Sequence, residues 1–246
     1  MSSHRFYIPA HAWKPDRLAL DPGESHHATD VLRLSPGDRV TVFNGAGSEA
    51  TAEIVKAARD AVDLRKIELS KTPPLGCAIT LGQAVPKGKN MELIIEKATE
   101  LGAAAVAPLL SDRTVVQAGR DEAVRKQQKW QRVAVEACKQ CGQNWLPEVQ
   151  VPRAPKDFFQ SGPKYDLMLI ASLQPGAKPL KTVLAERGPQ RPKSVLILVG
   201  PEGDFTPAEV ALAQSHGCQP ITLGPIILRT ETAAIYCLSI LSHELL

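Results

Sequence analysis

The feature that most limits what this chain can become lies near its C-terminus, where residues 195–241 read VLILVGPEGDFTPAEVALAQSHGCQPITLGPIILRTETAAIYCLSIL. An apolar run at 195–199 enters the polar turn GPEGDF and a helix start follows. A second apolar run at 221–223 then enters a second glycine turn, and a final helix closes the stretch. Strand, loop and helix in tandem predict parallel strands, because a chain returning through a helix re-enters the sheet in the same direction. Thr206, Pro207 and Glu209 fall in the register of a cap, a proline at the first helical position and a capping-box acid. In open α/β sheets ligands bind beyond the carboxyl ends of the strands, so the two loops are the first candidate site. Gly200, Gly203 and Gly224 let main-chain groups approach a ligand closely there.

The rest of the chain divides in two. RFYIP and DRLAL are strand candidates near the N-terminus, and SHHATDVLRLSPGD predicts a short helical stretch with Ser25 at its cap. RVTVFNGAGSEATAEIV reads as a hairpin, and AVDLRKIEL as the strand that completes a small antiparallel barrel. KTPPLG then marks an extended connector. Beyond it, CAITLGQAV, a helix with Asn90 as its cap and Gly102 as its stop, and AAAVAPLL form a βαβ unit. A long helix from about 122 to 141, the strand YDLMLIAS and the helix KPLKTVLAE lead to the opening stretch. The predicted class is α/β. Polar residues again cluster at strand ends, with Lys87 and Lys89 after one strand and Asp112 and Arg113 after the next.

Composition excludes some classes. No apolar run approaches the roughly 20 residues that cross a bilayer, and MSSHRFYIPAHAW lacks the apolar core of a signal peptide, so the cytoplasm is expected. The net charge of +3 is slight, but residues 1–70 carry −1 and the remainder +4, which places the basic excess in the second part. Five cysteines without a secretion signal read as reduced thiols. Cys138 and Cys141 form a single CxxC, short of the four ligands of a structural zinc, and no metal is expected.

LVGPEGDFTPAEV with LGPIILRTETA resembles the signature of the ribosomal RNA uridine N3-methyltransferases, a family within the knotted SPOUT methyltransferases. HHATDVLRL with GDRV, KGKNMELIIEKATELG and DRTVV are similar to further motifs of that family. The resemblance implies a PUA-like RNA-binding β-barrel over 1–72 and a SPOUT-type parallel sheet with a C-terminal trefoil knot over 73–246. It also implies S-adenosylmethionine as cofactor, 16S ribosomal RNA or the small ribosomal subunit as partner, and a homodimer. In that reading Leu198, Val199, Gly200, Glu202 and Gly203 form one wall of the cofactor pocket, and Leu223, Gly224, Ile227 and Leu228 the other. Arg5, Arg33, Lys87 and Arg113 are the RNA contacts.

Methyl transfer to uridine N3 requires removal of a proton and stabilisation of a uracil anion. Arg229 is the candidate for the second task and Glu231 for the first, or for bracing Arg229. Thr230 and Thr232 are read as capping the final helix and positioning the loop. Two positions depart from the family pattern, since Gln143 and Ile226 stand where it commonly has arginines. Three alternatives remain open at this point: the same fold with another RNA target, a noncatalytic ribosome-assembly protein, and a nucleotide-binding enzyme using GPEGDF for phosphate. The last lacks the lysine of a phosphate-binding loop.

Overall fold

The computed structural model describes residues 4–114, 119–188 and 190–246. The chain forms two compact units, one of residues 1–74 with 135–146 and one of 75–134 with 147–246.

The first unit is built from β1 (Arg5–Tyr7), β2 (Leu18–Leu20), α1 (Pro22–His26), a π-helical turn (His27–Val31), β3 (Arg39–Phe43), β4 (Ser48–Ala58) and β5 (Ala61–Lys71). Its five strands are ordered β1-β3-β4-β5-β2. The sheet is mixed rather than antiparallel, because β1 runs parallel to β3 while the other pairs are antiparallel. The hairpin turn dictates the β3–β4 direction, but a connection of some thirty residues leaves the β1–β3 direction free. Alternation buries Val40 and Val42 of β3 and Ala50, Ala52 and Ile54 of β4 against Phe6, Leu18 and Leu20. Register shifts after Thr51 and Ile54 bend the long β4–β5 ribbon.

Asp21, not Ser25, caps α1, accepting from Glu24 N at 2.8 Å with Pro22 in the first turn. Ser25 is fully buried, where its hydroxyl donates to Leu20 O (3.2 Å) and accepts from Val62 N (3.1 Å). Gly47 closes the β3–β4 turn at φ +87°, and a Cβ added there would lie 2.7 Å from both Thr72 O and the Trp145 ring. Both the left-handed backbone and the overlap penalise a side chain. Gly47→Ala is therefore expected to cost about 2–4 kcal/mol, read as a lower urea midpoint with an unchanged slope.

The second unit runs β6 (Ala78–Ala84), α2 (Asn90–Glu100), β7 (Ala105–Leu109), α3 (Arg120–Cys141, whose last turns belong to the first unit), β8 (Glu148–Val149), α4 (Pro155–Ser161), β9 (Leu167–Ala171), β10 (Lys178–Pro179), α5 (Leu180–Glu186), β11 (Ser194–Val199), α6 (Pro207–Ser215), β12 (Gln219–Thr222) and α7 (Thr230–Leu245). The seven strands are ordered β10-β12-β9-β11-β6-β7-β8 and every neighbouring pair is parallel. β11 reads as an almost wholly apolar run and β6 is buried from Ile79 to Ala84 because both faces of the sheet are covered. From β6 the chain moves to β7 on one side; from β11 it leaps over β9 to β12 on the other. The β6–β11 seam is thus a topological switch point, where the strand ends open a crevice.

The sequence reading missed β8, β10 and α4. The two strands have two residues each, too few to show a period, whereas Pro155 at the start of α4 was a usable signal. Asn90 does not cap α2: it is the first helical residue, Lys89 occupies the cap position without a side-chain bond, and the Asn90 amide turns elsewhere. α7 is buried along one stripe through Ala234, Cys237, Leu238 and Leu241, and Tyr236 on the opposite face is exposed. Among the described residues no helix is long and apolar enough to cross a membrane.

Candidate active site at the strand ends

A cavity opens at the ends of β9, β11 and β12 beside the start of α7, at the strand ends where open α/β sheets bind ligands. β11 delivers Val199 and Gly200 to it. A Cβ at Gly200 would lie 3.0 Å from Phe205 N and 3.1 Å from Asp204 Oδ1, so the tight return of this loop needs glycine. Asp204 sits at φ 62°, a conformation in which aspartate is among the few tolerated side chains. Its N donates to Pro201 O at 2.9 Å, its Oδ1 accepts from Phe205 N at 2.8 Å, and its Oδ2 accepts from Leu173 N at 3.0 Å. One carboxylate thereby shapes the β11 loop and ties the β9 loop to it.

The capping box expected for α6 is present. Thr206 Oγ1 accepts from Glu209 N (3.3 Å), and Glu209 Oε2 accepts from Thr206 N (2.8 Å). Glu209 reaches further, its Oε1 accepting from Asp112 N at 2.9 Å. Arg113 donates to Gly203 O, and Lys87 N donates to Glu202 Oε1 at 2.9 Å. The loops that follow β6 and β7 are thus gathered against the 200–206 loop, and the exposed Lys87 side chain lies at that edge.

Of the residues expected around the cofactor, Val199, Gly200, Glu202, Leu223, Gly224, Ile227 and Leu228 line the cavity. Leu198 does not: it is buried in the sheet core with Leu196 and Phe205, because side chains alternate along a strand and Val199 takes the lining position. Gly203 is exposed and meets the Arg113 side chain instead. Sequence reasoning missed the β9 loop, Ala171 to Leu173, along with Asp204. The end of β9 was legible, but its place next to β11 was not. Ile226, marked only as a departure from the family pattern, also lines the cavity.

Arg229 is exposed at the cap position of α7, between the lining residues Leu228 and Thr230, and its guanidinium has no partner among the described residues. Glu231 is half-buried in the first turn and accepts from Asn90 Nδ2 at 3.3 Å. It braces α2 rather than Arg229. Thr230 is buried and its hydroxyl donates to Gly200 O at 2.7 Å.

In the first unit, Arg5 is not free for phosphate. Its side chain is 11% exposed, paired with Glu49 and Asn144 Oδ1, bonded to Gln143 O at 3.3 Å and set 4.4 Å over the Phe43 ring. Asn144 completes that network by donating to Thr72 Oγ1 at 2.9 Å, and Gln143 Oε1 accepts from Trp145 N at 3.0 Å. These residues hold segment 143–146 within its unit. Arg33 is exposed, at φ 56°, with no side-chain partner among the described residues. Cys138 is buried and Cys141 exposed, and among the described residues no group of three or more His, Cys, Asp or Glu is placed to hold a metal.

The chemistry of the cavity selects its ligand. Two carboxylates, Glu202 and Asp204, line it and, among the described residues, no Lys or Arg does, which disfavours a polyphosphate and suits a ligand carrying positive charge. Ile227, Ile226 and Leu173 stand 77%, 70% and 61% exposed at its wall, large apolar surface suited to covering a flat aromatic ring.

A parallel sheet with a main-chain-lined pocket beyond its switch point defines a small-ligand-binding α/β protein, and the family models name the class. Residues 73–242 match the RNA methyltransferase domain and residues 20–67 the RNA methyltransferase PUA domain; the chain belongs to the RNA methyltransferase family. Its relatives include the ribosomal RNA small subunit methyltransferase E of Bacillus subtilis, 33% identical over 90% of this chain and 88% of that protein. The corresponding protein of Synechocystis is 34% identical over 90% of this chain and 71% of its own length. Among solved structures, a putative methyltransferase from Legionella pneumophila in complex with bound SAM superposes with a TM-score of 0.89 at 33% identity, covering 99% of this chain and 98% of that one. A ribosomal RNA small subunit methyltransferase E from Neisseria gonorrhoeae bound to S-adenosyl methionine gives 0.86 at 28% identity, covering 99% and 98%.

Proposed function

We propose that this chain is an S-adenosylmethionine-dependent methyltransferase of small-subunit ribosomal RNA that modifies N3 of a uridine. The observation that carries the reading is the cavity at the β9, β11 and β12 ends. It has main-chain loops, exposed apolar walls and two carboxylates inside, with Lys87, Arg113 and Arg229 immediately outside. A methyl donor with a sulfonium charge and an adenine ring matches the interior, and an RNA backbone matches the rim. Bound there, S-adenosylmethionine would supply an electrophilic methyl group.

The roles of the protein groups follow from the acceptor. Uridine N3 must lose its proton before its lone pair can form the new N–C bond, and negative charge spreads onto the flanking uracil oxygens as it does. The unpaired guanidinium of Arg229 is suited to hold that charge. Glu231 is the proposed proton acceptor, oriented by Asn90. Val199, Gly200, Glu202, Leu223, Gly224, Ile227 and Leu228 hold the donor, and Leu198 supports them from the core. Lys87, Arg113 and Arg33 are the proposed RNA contacts; Arg5 is withdrawn from that group. The trefoil threading of the C-terminal loops, the division of the chain near residue 73, a cytoplasmic compartment and a homodimer belong to the same reading. The outer face of α7, where Ile235, Tyr236 and Ile240 line a groove, is the surface a second copy would cover.

Two measurements test it. Titration calorimetry is expected to show S-adenosylhomocysteine binding and no ATP binding; the reverse result would return the site to the nucleotide-binding class. Mass mapping of ribosomal RNA from a deletion strain is expected to show one uridine of the small subunit lacking a base methyl group. An unchanged map would leave a noncatalytic assembly protein as the better description.

A further inference from the structure

Gln83, near the end of β6, is fully buried at the β6–β11 seam, in register with Val199. Its Nε2 donates to Ala84 O at 2.9 Å and to Thr230 Oγ1 at 3.0 Å, with Val199 O at 3.5 Å. Two of those three atoms are carbonyl oxygens, which accept only, so the amide has one workable orientation. The Thr230 hydroxyl, spending its lone pair on Gln83, donates its own proton to Gly200 O at 2.7 Å. A directed chain therefore runs from Gln83 to Thr230 to Gly200, and hydrogen bonds in such a chain polarise one another. The other end of the amide, Oε1, is buried without a partner, which is costly. A methionine of similar size would fill the space without that cost. What the amide contributes is its N–H groups, delivered to Val199 and Thr230, which line the cavity from the end of β11 and the start of α7.

We infer that Gln83 is a positioning residue for the methyl-donor pocket: through Thr230 it holds the Gly200 carbonyl and so sets the β11 loop against the start of α7. The inference rests on the methyl-donor reading of that cavity. Gln83 does not line the cavity itself but bonds to residues that do, and its effect should appear in donor affinity more than in the chemical step.

The test uses the full-length protein with Gln83→Met, Thr230→Val and Thr230→Ser, and S-adenosylhomocysteine as the probe. Gln83→Met and Thr230→Val are each expected to weaken binding about tenfold and to raise the donor KM to match. At saturating donor, kcat should change less than about threefold. Thr230→Ser, which keeps the hydroxyl, should stay within about twofold of wild type, and the double variant should be no worse than Thr230→Val, since both break one chain. Wild-type affinity in Gln83→Met or in Thr230→Val, or a loss in Thr230→Ser equal to that in Thr230→Val, would overturn the inference; a melting temperature for Gln83→Met shows that its loss of affinity is read on folded protein. Failure of the wild-type protein to bind the probe is a different outcome and counts against the donor reading itself.

Discussion

Arg229→Ala is expected to leave S-adenosylhomocysteine binding within about twofold of wild type while lowering turnover on ribosomal RNA by about 10²–10³-fold, the usual range for removing one donor aimed at developing charge. The separation of the two effects follows from where the side chain stands. Arg229 does not line the cavity, so the donor loses no contact, and its guanidinium is exposed without a protein partner, so the fold loses none either. The melting temperature should therefore stay constant, which distinguishes this variant from one that damages the loop. Arg229→Lys keeps the charge but not the planar fork and should recover only part of the rate. Turnover unchanged in Arg229→Ala would remove the residue from the mechanism.

Lys139→Met is expected to have the largest effect on stability. Lys139 and Glu24 are 9% and 12% exposed and pair at 2.7 Å, with Glu136 also on the ammonium at 2.9 Å. Burial pushes the Glu24 carboxyl up, and Lys139 pulls it back without cancelling the shift. Burial also works against the Lys139 ammonium, but the hydrogen bonds and charges of Glu24 and Glu136 outweigh it and the net shift is upward. Removing the ammonium while keeping an apolar stem strands a buried carboxylate, at a cost of about 3–5 kcal/mol.

The pH dependence gives the sign. A carboxyl raised in the folded state binds its proton more tightly folded than unfolded, so its stability term grows as pH falls and is lost as pH rises through the folded value. With Lys139 gone that value moves higher still. The destabilisation should be full at pH 8 and visibly smaller at pH 5, where Glu24 takes up a proton. Urea unfolding of wild type and variant at both pH values checks this, and an equal difference at the two would refute it. The wild-type lysine has the same sign in a different window: raised above 10.5, its contribution is present at neutral pH and is lost only as pH rises into strong alkali.

Interactions between near neighbours in the chain are legible in the sequence, and those between distant residues are not. The α6 capping box, the glycine turn at Gly47, the strand β6, the apolar run of β11 and the order of the C-terminal loops are all legible from neighbouring residues. Arg5 was read as a phosphate contact because an arginine's charge is visible in a sequence and its partners are not; Glu49 and Asn144 lie 44 and 139 positions away. Ser25 and Asn90 carry side chains typical of caps, yet Ser25 is claimed by Val62 N and Asn90 by Glu231.

The amino-acid order alone determined the α/β class, the family resemblance and the two loops where a donor would sit, since strand period, helix caps and glycine turns are encoded within a few residues. Only the tertiary structure decided that a third loop after β9 joins the cavity, that Leu198 faces the core while Val199 faces the ligand space, and that Gln83 governs Gly200 through Thr230. Those outcomes depend on which strand ends meet at the switch point, and that is set by the simultaneous burial of all seven strands and their helices.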